Sequence, residues 1–176
     1  MDSDDTPPTR RRIMQLAAGA LGGGVGAAVL IPASRLVAHP AGRDTVTAAD
    51  APLDAIALDR LGAAPLAVPL VAPLVRDGWA TTADVTLGVA WLRRRPDGSV
   101  SALSGVCPHK GCAIGYAAAA GRFECPCHDA RFDLDGRRLH GPAERDLDPL
   151  EATVEGSRVL VRWVRYRPGG ADRTPA

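Results

Sequence analysis

Aromatic side chains are scarce in this sequence, at 4% of 176 residues. The interior must therefore be mainly aliphatic, and we expect the large aromatic side chains to supply core bulk (Trp79, Trp91, Trp163, Phe123 and Phe132). Net charge is also nearly absent, because the formal value is only +1 at pH 7. Bulk electrostatics therefore gives no reason to expect a nucleic-acid partner. The length predicts one domain with appendages, since domains usually have ~100–200 residues.

Charged residues are missing altogether from residues 13–34, a stretch of 22 residues. A membrane-spanning helix needs ~20 apolar residues, and the run up to Ile31, before Pro32, is close to that length. Arg10, Arg11 and Arg12 precede it, and paired arginines before an apolar run are typical of a twin-arginine export signal. An ordinary secretory signal and a basic cap on a membrane helix are the alternatives. We predict a twin-arginine signal and membrane anchor over residues 1–35, retained in the mature chain.

Residues 36–60 show no sustained apolar period and are rich in Ala, Pro and Asp, so we predict a flexible neck there. Strand patterns follow in residues 61–168. The turn sequence at 96–98 joins two strands into a hairpin, and Gly156-Ser157 joins two more near the end. Prolines interrupt the apolar run 66–75, which predicts an edge strand. The sequence therefore predicts an antiparallel all-β domain over residues 61–168, followed by a tail at 169–176.

Cysteine is confined to one short region. All four cysteines and two of the four histidines lie within 22 residues, in the motifs C-P-H-K-G-C (residues 107–112) and C-P-C-H (residues 125–128). A set of two sulfur and two imidazole ligands suits zinc, or a [2Fe–2S] cluster with histidines on one iron. Zinc would use four of these six groups and leave two thiols over. The spacing therefore predicts a metal centre built from two loops.

The pair of motifs resembles the Rieske iron–sulfur proteins of quinol-oxidising cytochrome bc complexes. The resemblance implies that Cys107 and Cys125 bind one iron of a [2Fe–2S] cluster, and that His109 and His128 bind the other. It also implies a disulfide between the two remaining cysteines (Cys112 and Cys127). The implied fold is a small antiparallel Rieske-type β-sandwich with an inserted cluster-binding lobe, preceded by an N-terminal transmembrane helix.

Three positions after the second motif depart from the family pattern C-P-C-H-G-S with a tyrosine two residues later. Asp129 replaces the glycine, Ala130 the serine and Phe132 the tyrosine. The missing hydroxyls would stabilise the reduced cluster, and the added carboxylate would oppose reduction, so we expect a lowered potential. A lowered potential suits menaquinol better than ubiquinol. Downstream, Gly141-Pro142-Ala143 resembles the loop that covers the cluster in the family.

The function that the resemblance implies is electron transfer in a quinol–cytochrome c oxidoreductase. The partners would be quinol, with His128 and His109 facing it, a cytochrome b subunit and a c-type cytochrome. The expected location is the bacterial cytoplasmic membrane, with one N-terminal anchor and the Rieske head on the periplasmic or outer face. The small Rieske subunit of an exported molybdenum oxidase, such as arsenite oxidase, and a structural zinc-binding exported module are the alternatives.

Overall fold

The computed structural model describes residues 9–41 and 51–176. The chain divides into two compact units, one of which contains a long helix and the other all of the strands. The prediction of an antiparallel all-β domain with an N-terminal apolar helix is confirmed.

Helix α1 runs from Arg10 to Ala38, and none of its 29 residues is buried. It is long and apolar enough to cross a membrane. The sequence predicted that the apolar span would end before Pro32, but the helix continues through that residue. Proline removes a single backbone donor, and a helix can absorb this loss without ending. Residues 1–8 of the predicted signal lie outside the described residues.

Within residues 51–176, the second unit contains ten strands and one short 3-10 turn (Leu58–Arg60). The strands are β1 (Leu53–Ala57), β2 (Leu66–Arg76), β3 (Thr81–Arg94), β4 (Val100–Ser104), β5 (Gly115–Ala117), β6 (Arg122–Cys125), β7 (Ala130–Phe132), β8 (Arg138–His140), β9 (Glu151–Glu155) and β10 (Arg158–Arg162).

These strands form three antiparallel sheets, with the strand orders β1-β10-β9, β2-β3-β4 and β5-β6-β7-β8. The β2 strand lies at the edge of its sheet, as its prolines predicted, because Pro69 and Pro73 cannot donate to a second neighbour. We call the two three-stranded sheets the base, and the four-stranded sheet with its loops the lobe. The lobe is inserted between β4 and β9 of the base.

The predicted boundary between neck and domain is wrong, because β1 belongs to the base. Leu53 pairs with Val161 of β10, and the carboxylate of Asp54 accepts a hydrogen bond from Arg158 Nε at 2.7 Å. This pairing joins residues more than a hundred positions apart, so a local pattern could not show it. The neck therefore ends before Leu53; its residues 42–50 lie outside the described part of the chain.

Each of the two regions has its own apolar core. The base core is aliphatic apart from one tryptophan (Leu53, Leu61, Val68, Leu70, Ala72, Ala90, Leu92, Ala102, Leu150, Val159, Val161 and Trp163). The lobe core contains two phenylalanines and the two free cysteines (Leu103, Cys107, Ile114, Phe123, Cys125, Ala130, Phe132, Ala143 and Leu147). Trp79 belongs to neither core, since it is 51% exposed.

Candidate metal centre

The first loop, residues 105–114, connects the base to the lobe between β4 and β5. Its backbone closes on itself, since Cys107 N donates to Cys112 O at 2.7 Å and Gly111 N donates to Cys107 O at 2.9 Å. Gly111 has a φ of +79°, a left-handed conformation that glycine adopts without strain. This tight turn holds Cys107 inward and presents His109 at the surface of the loop.

The second loop, residues 126–129, joins β6 to β7. Cys125 is the last residue of β6 and pairs directly with Ala130 of β7. Between them, Asp129 adopts a φ of +52°, which explains why a glycine suits this position in the family. The turn leaves Cys127 and His128 exposed, whereas Cys125 is buried.

A disulfide joins Cys112 of the first loop to Cys127 of the second, as the resemblance implied. The Sγ atom of Cys125 lies within 4.8 Å of both disulfide sulfurs, so three sulfurs are grouped here. The two disulfide sulfurs are not thiolates and lack the charge that makes cysteine a strong metal ligand. They therefore tie the loops together, and Cys107 and Cys125 are the thiols available to a metal.

Cys107 and Cys125 are 1% and 2% exposed, respectively, and neither is in a disulfide. Burial raises the pKa of the Cys107 thiol to about 11, and the neighbouring Cys125 thiol acts in the same direction. The backbone N–H groups of His109 and Lys110 oppose the rise by donating to the sulfur. The metal-free Cys107 thiol is therefore neutral at neutral pH, and a metal that binds it must displace its proton.

The two histidines of the motifs meet at the tip of the lobe. The centroids of the His109 and His128 rings lie 4.7 Å apart, with the ring planes at 88°. His109 Nδ1 is buried and has no hydrogen-bond partner within the described ranges. A buried unpaired nitrogen is costly, and coordination of a metal would satisfy it. Each histidine follows a buried thiol by two or three residues in its motif, and this donor set fits a [2Fe–2S] cluster with mixed ligands.

Asp129, which we expected to lower the potential through its charge, is bound to a cation. Arg131 Nε and Nη2 donate to its two carboxylate oxygens, both at 2.9 Å. His140 Nε2 lies 3.7 Å from the same carboxylate. Because the guanidinium neutralises the carboxylate locally, Asp129 adds little net charge. We therefore expect Asp129 to lower the reduction potential less than its charge alone suggests.

The two positions that lack a hydroxyl both lie on the inward face of β7. Ala130 and Phe132 are both 0% exposed, and Ala130 is the ladder partner of Cys125. Directly paired residues place their Cβ atoms about 4.5–5.5 Å apart, so a serine here would bring its hydroxyl near the thiol. Phe132 pairs with Phe123 in the lobe core. Both positions are therefore apolar and supply no hydroxyl donor.

The segment Gly141-Pro142-Ala143 packs against the end of the second loop. Gly141 has a φ of +100°, and a Cβ added there would lie 2.5 Å from Ala130 Cα. Ala143 is buried in the lobe core, and Pro142 is exposed. Only glycine permits this close approach. The segment therefore lies beside β7, where we expected a loop that covers the metal centre.

Motif reasoning missed a buried ion pair in the lobe. The side chains of Arg145 and Asp148 are 5% and 4% exposed, and Arg145 Nε donates to Asp148 Oδ1 at 2.8 Å. The three-residue spacing of opposite charges was visible in the sequence. Nothing in that spacing distinguishes a buried pair from a solvated one, so the signal was too weak to use.

Comparison with known proteins identifies the domain type. The model of the Rieske [2Fe-2S] domain matches residues 74–154, which include both loops of the metal centre. The cytochrome b6-f complex iron-sulfur subunit of Synechococcus sp. is 40% identical over 57 residues, or 32% of this chain and 33% of the relative. Subunit 1 of the same name from Nostoc sp. is 37% identical over 70 residues, or 38% and 39%. The match thus spans little more than a third of these relatives.

Two solved structures are also similar to this chain. The plasma membrane Rieske protein of Synechocystis PCC 6803 is 32% identical, with 51% of this chain and 85% of that chain covered and a TM-score of 0.39. A chain of a hyperthermophilic respiratory Complex III is 23% identical, with 82% and 98% covered and a TM-score of 0.45.

Proposed function

On the premise that residues 74–154 match the Rieske [2Fe-2S] domain, we propose that this chain is the iron–sulfur subunit of a bc-type quinol–cytochrome c oxidoreductase. The observation that supports this most is the pair of histidines, one exposed and one half-buried, on two loops that a disulfide joins. The similarity to cytochrome b6-f iron-sulfur subunits supports the same assignment. The subunit would transfer electrons between a quinol and a haem protein.

Four residues would hold the cluster, with Cys107 and Cys125 on one iron and His109 and His128 on the other. His109 would bind through Nδ1, the buried nitrogen that lacks a partner among the described residues. When bound, a cluster with two histidine ligands supplies a one-electron couple in a window of roughly −150 to +300 mV. The disulfide would keep the ligands of the two loops in register.

Proton transfer would be the task of the histidine rings. Because Nδ1 of His109 is buried, its Nε2 is the nitrogen left to exchange a proton with its surroundings. His128 is exposed, so its free ring nitrogen would be accessible to a quinol hydroxyl. An imidazole bound to a metal through one nitrogen can hold or release a proton at the other. His128 is therefore the better candidate to accept the hydrogen bond and the proton of quinol.

The expected quinol is a low-potential one such as menaquinol. Ala130 and Phe132 supply no hydroxyl donors on the face of β7 next to Cys125. Hydrogen bonds to cluster sulfurs stabilise the more negative, reduced form, and their absence lowers the midpoint potential. With Asp129 neutralised by Arg131, the argument for menaquinol rests on these two side chains.

The membrane location rests on α1, which has the length and composition of a span. Arg10, Arg11 and Arg12 at its beginning would stay on the cytoplasmic side, so the head would lie on the periplasmic or outer face. The same arginines would have served in twin-arginine export of the folded head. Retained in the membrane, the helix would hold the head near a cytochrome b subunit, and a c-type cytochrome would accept the electron.

Purification of the full chain from native membranes in mild detergent tests this function. We expect b-type and c-type haems to copurify, and added menaquinol to reduce the c-type haem. His128→Ala should abolish that reduction, because it removes both a cluster ligand and the proton acceptor. Copurification with a molybdenum protein and no b-type haem would contradict the bc assignment and favour the exported-oxidase alternative.

A further inference from the structure

The last twelve residues of the chain form a hairpin, where the sequence predicted the end of the β domain and, from residue 169, a tail. Tyr166 and Pro175 form an antiparallel bridge. Two further backbone bonds extend it, from Arg167 N to Thr174 O and from Ala176 N to Arg165 O, each at 2.8 Å. We call residues 165–176 the C-terminal hairpin.

The C-terminal hairpin touches the first loop between its two proposed ligands. Gly169 N donates to the carbonyl oxygen of Pro108 at 2.8 Å, and Pro108 is fully buried. Gly169 has a φ of +80°, and a Cβ added there would lie 3.5 Å from His109 O. The backbone that carries Cys107 and His109 is therefore held by one hydrogen bond from the hairpin.

Arg145 anchors this hairpin to the lobe. Its Nη1 donates to Gly170 O at 2.7 Å and its Nη2 to Arg167 O at 3.0 Å. The same guanidinium forms a two-pronged bond with Asp148, through Nε at 2.8 Å and Nη2 at 2.9 Å. One buried side chain thus joins the hairpin to the segment that follows the covering loop.

The geometry of these bonds requires arginine in particular. A guanidinium directs several donors in one plane, so it can bind a carboxylate with two of them and still reach two carbonyls. A lysine ammonium keeps the charge but has no such planar fork. Arg173 also approaches Asp148, at 3.4 Å, but its side chain is 43% exposed. Of the two arginines near Asp148, Arg145 is therefore the one whose planar shape, as well as its charge, contributes to the bonds.

We propose that Arg145 is a positioning residue for the iron–sulfur centre, acting through the C-terminal hairpin on Pro108. The disulfide fixes the first loop at Cys112, and the hairpin fixes it at the opposite end of the turn, beside the ligands. Without the hairpin, the loop would retain its own turn bonds but would open more readily to water. This inference rests on the proposed function for its redox consequence, whereas its effect on the loop itself needs no cluster.

Two variants of the full chain in detergent test the proposal against a matched control. Gly169→Ala forces a left-handed alanine beside His109 O, and Arg145→Lys removes the planar fork. Gly170→Ala is the control, because an added Cβ there meets nothing within 4 Å. We expect Gly169→Ala to release iron to a chelator about tenfold faster than wild type, since a left-handed L-residue carries a penalty of that order. Arg145→Lys should also release iron faster, because it loses bonds to the hairpin carbonyls. The control should match wild type.

Two further readouts separate positioning from general stability. The midpoint potential should rise in Gly169→Ala, because water that reaches the cluster sulfurs stabilises the more negative form. Exchange of the Gly111 amide, which is bonded to Cys107 O, should accelerate in the metal-free chain, while exchange in the β9–β10 ladder stays unchanged.

A wild-type midpoint together with wild-type Gly111 exchange in Gly169→Ala overturns the proposal. If Arg145→Lys fails to fold, Gly169→Ala alone decides. A wild-type chain that contains zinc and no iron would refute the proposed function, and the exchange experiment would still decide whether the hairpin holds the first loop.

Discussion

The base and the lobe are stabilised in different ways. Strands of the base reach 14 residues in β3, and its aliphatic core lies within two three-stranded sheets. Strands of the lobe have three or four residues each, and a disulfide and a buried ion pair supplement them. The base is thus held by many equivalent ladder bonds, whereas the lobe depends on a few individual links.

This difference follows from where the proposed metal ligands lie. The lobe carries the four proposed ligands on two short loops and on the strand end beside one of them, whereas the base carries none of them. Loops lose more conformational entropy on ordering than their own hydrogen bonds return, so they require additional links. The comparison predicts that single changes in the lobe remove the metal centre, while the base tolerates them.

The largest expected effect comes from the proposed ligands. Alanine at Cys107, His109, Cys125 or His128 should abolish the visible absorbance and the low-temperature electron-spin signal of the reduced cluster. Val159→Ala, which truncates a fully buried base residue, should cost about 2–3 kcal/mol of stability and leave the cluster spectrum intact. A ligand variant that keeps a wild-type spectrum would break the assignment of that residue.

A methyl group at Gly141 should have the next largest effect. Gly141→Ala combines a strained φ of +100° with a Cβ 2.5 Å from Ala130 Cα, so we expect a loss of roughly 3–5 kcal/mol in the lobe. The cluster should be lost on gentle warming. Gly62→Ala in the base, where nothing lies within 4 Å, is the control and should be near neutral. Equal thermal stability of the two variants would contradict the close packing at Ala130.

Removal of the disulfide should have a smaller effect on stability. Cys112→Ser opens a link across a sequence separation of 15 residues, which contributes roughly 3 kcal/mol. We expect the four ligands to assemble a cluster that is lost at a lower temperature, whereas the base unfolds as in wild type. Absorbance and far-ultraviolet circular dichroism, followed during heating, separate the two transitions. If the temperatures of cluster loss and of base unfolding fall together, the lobe and the base do not differ in what stabilises them.

The smallest effect concerns the potential alone. Ala130→Ser and Phe132→Tyr should each raise the midpoint by tens of millivolts, given about 59 mV for every ~1.4 kcal/mol in a one-electron couple. Asp129→Asn combined with Arg131→Gln removes a neutral pair and should change it less. Voltammetry of the full chain in detergent gives these values. No rise in the Ser and Tyr variants would remove the argument for a low-potential quinol.

The sequence predicted local features of both regions well. Spacing and family resemblance located both loops and the disulfide, and turn residues located the hairpins at 96–98 and 156–157. Features that depend on distant pairing were not predictable. β1 is recognisable only beside β10, and the bonds from Arg145 to Arg167 and Gly170 span more than twenty residues. Asp129 was read as a free charge because sequence does not show which way Arg131 points.

The central claim is that two histidines and two cysteines of this chain bind one [2Fe–2S] cluster. Pulsed electron-spin spectroscopy of the reduced full chain, grown with isotopically labelled histidine, measures this ligation directly. The account predicts iron and sulfide in equal amounts and magnetic coupling to nitrogens of two histidines, which disappears in His109→Ala and His128→Ala with the cluster. A chain that holds zinc in place of iron, or a cluster without histidine coupling, would contradict it.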